Sequence, residues 1–505
     1  MIDVLTLTAS QARDLLDQKA LTSVQLVEAY LAQIEKHNHQ GLHLNAIISV
    51  APRDKTLELA RRLDHERSSG HVRGPLHGIP FVCKDVFALH PDLGMPCTGG
   101  APCLATAKAR RTAPLIQHLL DSGMILLGTG NLTELCGMKY ETIKPGWSPM
   151  GGQTHSPYIY GGTQMDDGFV GHSSGGGSSS GSGASVAAGF APLAIGSECC
   201  GSLTLPATRA AAYSLKCGLN QINVDGALHY SDNTDYLGGM AKSADDLATF
   251  IAALMQRSEP FDLSGGLQGI KMGFVNSREW QMSEAMCKAS EADREAMDKA
   301  FQAAKDKFTA AGAVVSEDVN LPHPSQNNRF EWKGKSMFYE VTVYQMRNTT
   351  FPAFFKEFEE SEVHSIPEMI KWNVDHADQC LPLEHPYQSQ FYDLLHDRVT
   401  PEEHQEIRAA FYHEGNDLLK LLETLDVVVA FGESSLVMYT SAAQCPIAAA
   451  PLGTIQYSEE NERPFGLSFA AKPGNEGLLL RVLAGFEKLY PHRPLPRPLT
   501  DGPKV

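Results

Sequence analysis

Between residues 175 and 185 the chain contains only glycine, serine and alanine, directly ahead of the apolar run Val186-Ala187-Ala188-Gly189-Phe190-Ala191-Pro192-Leu193-Ala194-Ile195-Gly196. By composition alone the first stretch is a flexible linker. A linker between domains, however, does not lead straight into a buried helix end and a buried strand. The Gly/Ser stretch is therefore expected to enter the core, where small residues let other groups approach the backbone closely. A second small-residue turn, Ser197 to Ser202, follows the strand.

Strand and helix signals alternate around these turns. Thr22 with Gln25 forms a capping-box pattern, and Val24, Val27, Leu31 and Ile34 recur at helical spacing, which predicts a helix from Ser23 to Lys36. A second helical run, Arg53 to Arg67, ends in Ser68-Ser69-Gly70. The turn at Gly74-Pro75-Leu76-His77-Gly78 then opens a short buried strand that ends at Lys84. Ala113 to Leu120 reads as helix, and Met124 to Leu127, closed by Gly128, as strand. Further on, Ser283 to Ala311 predicts one long helix with Met297, Phe301, Ala304 and Phe308 inward, followed by a strand at Ala313 to Val315. Glu331 to His413 is rich in aromatics and charge but weak in pattern. Leu425 to Ala430 reads as a buried strand, and Asn475 opens a last helix carrying Leu479, Val482, Leu483 and Phe486. No repeat and no clean boundary interrupts this α/β order, so a single domain over residues 1–505 is expected.

Composition narrows the function classes. The 505 residues are 43% hydrophobic with a formal net charge of −17, and no stripe of Lys and Arg is present to neutralise a run of phosphates. Nucleic acid is not an expected partner. The N-terminus has no basic-then-apolar leader, and no apolar run reaches the roughly 18 residues of a membrane span, so no membrane partner and a soluble, cytoplasmic protein are expected. The ten cysteines are single apart from Cys199-Cys200, which is neither a disulfide framework nor a metal-ligand spacing. No metal or organic cofactor is implied. A homodimer is left open.

Two Gly-x-Ser-x-Gly matches occur, Gly171-His172-Ser173-Ser174-Gly175 and Gly177-Ser178-Ser179-Ser180-Gly181. A nucleophile elbow needs an apolar strand immediately before it, and Gln164 to Val170 is not one. Such matches are expected by chance in so Gly/Ser-rich a stretch, and His77 and His172 are read as structural. Asp85 is expected to order its own loop. Thr129 and Asn131 are placed at the edge of the site, or Asn131 or Thr133 as a helix cap.

The stretch Gly176-Gly177-Ser178-Ser179-Ser180-Gly181-Ser182, continuing through Ala187 to Gly196 and Gly201-Ser202-Leu203-Thr204-Leu205-Pro206-Ala207, resembles the signature of the amidase signature family. Matches in the same order run through Gly74 to Pro80 with Lys84-Asp85, Gly123 to Glu134, Asp235 to Asp246 and Pro464 to Glu487. The resemblance implies the amidase signature fold, an α/β domain on a central mixed β-sheet with helices on both sides. Its signature core would span about 74–250, a variable substrate-facing segment about 264–425 and a return to the core about 426–490. It also implies that Ser202 is the nucleophile, Ser178 the bridging serine and Lys84 the base, the two serines being 24 positions apart. An alcohol attacks only once a base takes its proton, and burial lowers a lysine pKa by penalising the charged form. Backbone N–H groups of Cys199, Cys200, Gly201 and Ser202 would form the oxyanion hole. Gly177 and Met138 are the substrate-binding candidates.

The chain departs from the family pattern at the nucleophile turn. The pattern is Asp, any residue, Gly, Gly, Ser, with Arg two positions after the serine; here Glu198, Cys199, Cys200, Gly201, Ser202 and Thr204 stand there. The missing Arg and the longer acid are expected to change a supporting ion pair, and the vicinal cysteines are expected to be two small buried side chains. An insertion at about 159–170 is a candidate lid. The resemblance implies an amidase that hydrolyses the carboxamide C–N bond of a small-molecule substrate through an acyl-enzyme. The alternatives are an acyl transferase or esterase, a catalytically silent carboxamide-binding relative, and one component of an amidotransferase complex.

Overall fold

Short apolar runs buried on both faces have to pair side by side, and they form the middle of an eleven-stranded sheet with more exposed edge strands in the computed structural model, which describes residues 2–501. Met1 and residues 502–505, the ends of the expected domain, lie outside the described residues. The strands are β1 (Ile47–Val50), β2 (Pro80–Lys84), β3 (Ile125–Gly130), β4 (Leu193–Glu198), β5 (Tyr213–Lys216), β6 (Tyr236–Ala241), β7 (Lys271–Phe274), β8 (Val314–Ser316), β9 (Val427–Phe431), β10 (Ile447–Gln456) and β11 (Glu462–Ala470). Their spatial order is β1-β3-β2-β4-β6-β5-β10-β11-β9-β7-β8. The sheet is mixed. β2 runs parallel to both β3 and β4, β7 lies parallel to β9 and β8, and the central pairs are antiparallel.

Helices cover both faces. Gly196 on β4 pairs with Gly238 on β6, so Gly239 points to the opposite face from Gly196. A Cβ on Gly196 would meet Ser179 and Leu203, whereas one on Gly239 would meet Leu247, Phe250 and Ile251 of the helix Ala244–Leu254. The Gly/Ser stretch becomes the helix Ser180–Ala187, every residue of which is buried. A Cβ on Gly181 would lie 2.2 Å from the Ala46 carbonyl oxygen and 2.3 Å from the Asn131 nitrogen, so the small residues are there for close approach, as expected.

The helix Ser23–His37 carries the full Thr22/Gln25 capping box. Three expectations need correction. The long helix begins at Glu291 and not at Ser283, because Ser290 and Asp293 form their own capping box and Ser283 to Cys287 turns back on itself. Asn475 occupies the N-cap of the last helix but makes no side-chain capping bond. The weakly patterned Glu331 to His413 holds several helices, including Met337–Gln345, Ile366–Asp375, Ser389–His396 and most of Pro401–Leu422. The last of these has a Thr400/Glu403 capping box with Pro401 in its first turn, a legible signal in retrospect. Among the described residues no helix is long and apolar enough to cross a membrane.

Immediately after β6, Lys242 is buried and donates to the carbonyls of Val4 and Leu7, tying down the N-terminal segment. Burial, with help from Arg493, pushes its pKa down to about 7. The native state therefore binds fewer protons here than the unfolded chain between pH 7 and the ordinary lysine range, so this contribution to stability grows as pH rises through that window. Denaturant unfolding of the native chain and Lys242→Met at pH 7 and pH 9 is expected to show the native chain gaining about 2 kcal/mol on the variant over those two pH units.

Candidate active site

Lys84 closes β2, opposite Gly130 on β3, and is fully buried. An amino group in such a place needs hydrogen-bond acceptors. Its Nζ donates to Ser178 Oγ at 2.7 Å and to Ser197 Oγ at 2.9 Å. Ser197 was not singled out from the sequence. It stands near the end of β4, parallel to β2 with Cys83 opposite Ile195, so sheet register and not sequence spacing brings it to Lys84. The Cys136 thiol also lies in this environment. Burial pushes its pKa up, and the Lys84 charge and the Ser197 hydroxyl oppose that push.

The other serines of the loop are committed elsewhere. Ser173 Oγ donates to Asp167, Ser179 Oγ to the Ser197 carbonyl, Ser180 Oγ to the Gly176 carbonyl and Ser182 Oγ to the Ile195 carbonyl, while Ser174 Oγ accepts from Gly176 N. Neither Gly-x-Ser-x-Gly match therefore offers its central serine as a free hydroxyl. Ser179 N donates to the Ser202 carbonyl at 2.9 Å, which brings the two small-residue turns together. Among the described residues no hydrogen bond joins the hydroxyls of Ser178 and Ser202.

The loop is clamped by the segment after β3. Thr133 N donates to the Ser178 carbonyl, Gly181 N to the Asn131 carbonyl, and Gly146 N to Thr133 Oγ1. Asn131 is no helix cap. Its amide donates to the carbonyls of Asn45 and Gly152, and its oxygen accepts from Ser148. Asp85 orders its own loop, as expected, accepting from Thr98 N, Thr98 Oγ1 and Gly100 N, while burial raises its pKa to about 7. His77 packs its ring against the Leu63 carbonyl, and His172 stacks on Tyr457, both structural roles.

At the nucleophile turn Glu198 does what its place next to a helix start allows. One carboxylate oxygen accepts from Leu203 N at 2.9 Å, Thr204 N at 2.7 Å and Thr204 Oγ1 at 2.8 Å, satisfying the first N–H groups of the helix Thr204–Arg209. Thr204 thus binds the acid directly where the family pattern has Arg. The cation that feels Glu198 is Lys216 on β5. Burial lowers its pKa, and the Glu198 charge opposes this. Among the described residues the N–H groups of Cys200, Gly201 and Ser202 have no hydrogen-bond acceptor. Cys199 is buried, but Cys200 is only partly so, which corrects the expected pair of buried thiols; its sulfur lies 2.9 Å from that of Met438.

Cys200 and Gly201 form part of the wall of a cavity of about 830 Å³. Its remaining wall comes mainly from the 278–336 segment and from 432–438, while Ser202, next to Gly201, and Cys199, Lys84, Ser178, Gly177 and Met138 do not line it. Gly177 is partly buried, and a Cβ there would meet Thr133 Oγ1 at 2.6 Å. Met138 is buried just beyond the turn Glu134–Gly137. The insertion is fastened to this wall, since Val170 N and Gly171 N both donate to the Met286 carbonyl. Among the described residues no cluster of His, Cys, Asp or Glu is arranged to hold a metal ion.

Known proteins resemble this chain over most of its length. A family model described as Amidase matches residues 25–480. A putative amidase of Schizosaccharomyces pombe is 25% identical over 97% of this chain and 86% of its own length. A glutamyl-tRNA(Gln) amidotransferase component from Chloroflexus aurantiacus is 31% identical, but over 63% of this chain and 61% of its own. The crystal structure of native peptide amidase from Stenotrophomonas maltophilia superposes with a TM-score of 0.82 at 25% identity, covering 97% of this chain and 98% of that one.

Removing the three bonds to Glu198 tests how the turn is held. Glu198→Ala is expected to cost about 3 kcal/mol of stability, and Thr204→Val, which keeps both backbone bonds, about 1 kcal/mol, read by denaturant unfolding.

Proposed function

Because the chain belongs to the amidase family, we propose that it is a serine amidase in which Ser202 attacks a carboxamide carbonyl, Ser178 relays the proton and Lys84 is the base. The observation that carries this reading is the 2.7 Å bond from the buried Lys84 Nζ to Ser178 Oγ, on a loop hydrogen-bonded to the Ser202 turn. The full-length similarity to a protein named peptide amidase supports amide hydrolysis as the reaction class.

In the proposed cycle Lys84 enters as the free amine. The Ser202 proton passes through Ser178 to Lys84 as Ser202 Oγ bonds to the carbonyl carbon. The free N–H groups of Cys200, Gly201 and Ser202, with that of Cys199, receive the charge that develops on the carbonyl oxygen. The C–N bond then breaks, and the leaving nitrogen takes the proton back along the same path. Water attacks the acyl-enzyme and gives its proton to the relay, the bond to Ser202 Oγ breaks as that oxygen takes the proton back, and the carboxylic acid leaves. The Ser178–Ser202 hydrogen bond, absent in the free chain, forms as substrate closes the site. Gly177 and Met138 bound the space beside Ser178, and residues 1–505 act as one domain within which 264–425 supplies the substrate-facing wall.

Intact mass and peptide mapping after treatment with a fluorophosphonate test this directly. One adduct on Ser202 is expected, absent in Ser202→Ala and formed about 10²- to 10⁴-fold more slowly in Ser178→Ala and Lys84→Ala. An unlabelled native chain, or an adduct on Ser173 or Ser179, overturns the assignment.

A further inference from the structure

The cavity beside the nucleophile turn has an unequal charge inventory at one end. Arg294, on the helix Glu291–Ala310, lines both this cavity and a narrow adjoining recess shared with Glu433 and Arg463. Glu433 is buried and divides its two oxygens between Arg209 and Arg463, themselves 1% and 2% exposed. Each of those guanidinium groups still has a buried nitrogen with no partner, Arg209 Nη2 and Arg463 Nε. The other acid acting on Arg463 is Asp293, whose carboxylate is occupied by the Ser290 cap. Three arginines therefore meet two carboxylates.

Arg294 is the one left over. Among the described residues it makes no ion pair, and its side chain donates only to the Met282 carbonyl, at 3.2 Å. The other arginines of the wall are neutralised, Arg278 by Glu291 and Asp298, and Arg329 by Glu414 and Asp417. The acids of this wall besides Glu433, Glu279 and Glu331, are exposed to water. The same wall carries apolar side chains as well, Leu205, Met282, Met286, Val437 and Met438. A planar guanidinium without an acidic partner in a partly apolar cavity matches a carboxylate.

We propose that this cavity takes amides whose acyl part ends in a carboxylate, the half-amides of dicarboxylic acids, with Arg294 reading that carboxylate and the surplus positive charge of the arginine cluster reinforcing it. This specificity rests on the reading that the scissile carbonyl sits at Ser202.

Calorimetric titration of Ser202→Ala with adipamate and with hexanamide, which differ in the terminal carboxylate, tests it without turnover. Succinamate, glutaramate and pimelamate, each against its neutral amide, bracket the reach. Adipamate or one of its homologues is expected to bind about 10- to 100-fold more tightly than its neutral partner. That ratio is expected to vanish when Arg294→Gln is added and to fall only in part with Arg294→Lys. Equal affinities at every length, a lack of measurable binding by any of them, or a ratio that survives Arg294→Gln overturns the inference. Fluorophosphonate labelling of the native chain carries no carboxylate and reports on Ser202 separately. Labelling without a carboxylate preference removes only the specificity, and a preference without labelling removes Ser202 as nucleophile while leaving the anion site.

Discussion

Everything near the site follows from one buried amino group. Lys84 has no access to water, so its side-chain nitrogen must be met by protein acceptors, and the two it finds come from different elements, the Ser178 loop and the end of β4. For both hydroxyls to reach it, the loop must lie flat across the ends of parallel strands β2 and β4. That is possible only where side chains are missing. Gly196 lets Ser179 within 2.9 Å of where its Cβ would be, and Gly130 and Gly181 bring the loop against the segment that follows β3. The Gly/Ser composition that imitates a linker is the condition for burying the lysine.

The backbone around Lys84 is held by polar side chains that do no chemistry in the proposed cycle. Asn131 joins two stretches, Asn45 and the hairpin holding Ser148 and Gly152, while the backbone at Thr133 and Asn131 clamps the loop at Ser178 and Gly181. Glu198 draws the start of the helix Thr204–Arg209 onto the end of β4. Ser202 sits between the two, its carbonyl taken by Ser179 and its N–H left open. The turn is thereby fixed from both ends while its donors stay free, the preorganisation that charge stabilisation requires.

The parts of this arrangement written as local patterns were legible in the sequence. The helix from Ser23 follows from its capping box, Lys84 from closing an apolar run, and the burial of the Gly/Ser stretch from the apolar residues behind it. The family resemblance marked Ser178 among five neighbouring serines, and it is Ser178 whose hydroxyl accepts from Lys84 Nζ. Ser197 and Cys136 were not legible, because strand register and a turn far away in sequence bring them to Lys84. The alanine run Ala448 to Ala450 has no intrinsic strand preference; β5 and β11 impose one by pairing on both sides. The cavity wall was illegible for the same reason, being assembled from 278–336 and 432–438, segments without a common pattern.

Cys200 shows how a change at the turn can alter the site without disabling it. A side chain replaces the family's usual glycine, and it points to Met438 across the cavity wall and not toward Lys84. Burial pushes its thiol pKa up to about 12, with Glu198 adding to the shift, so the sulfur is neutral at ordinary pH and is no rival to a serine as nucleophile. A neutral thiol packed on a thioether acts as apolar surface. Cys200 therefore adds apolar surface to the cavity wall beside the nucleophile turn, which suits the aliphatic middle of the proposed substrate. The departure that most threatens a family-based reading of the turn thus falls on the side of substrate selection, whereas the thiol near Lys84, Cys136, belongs to a different loop.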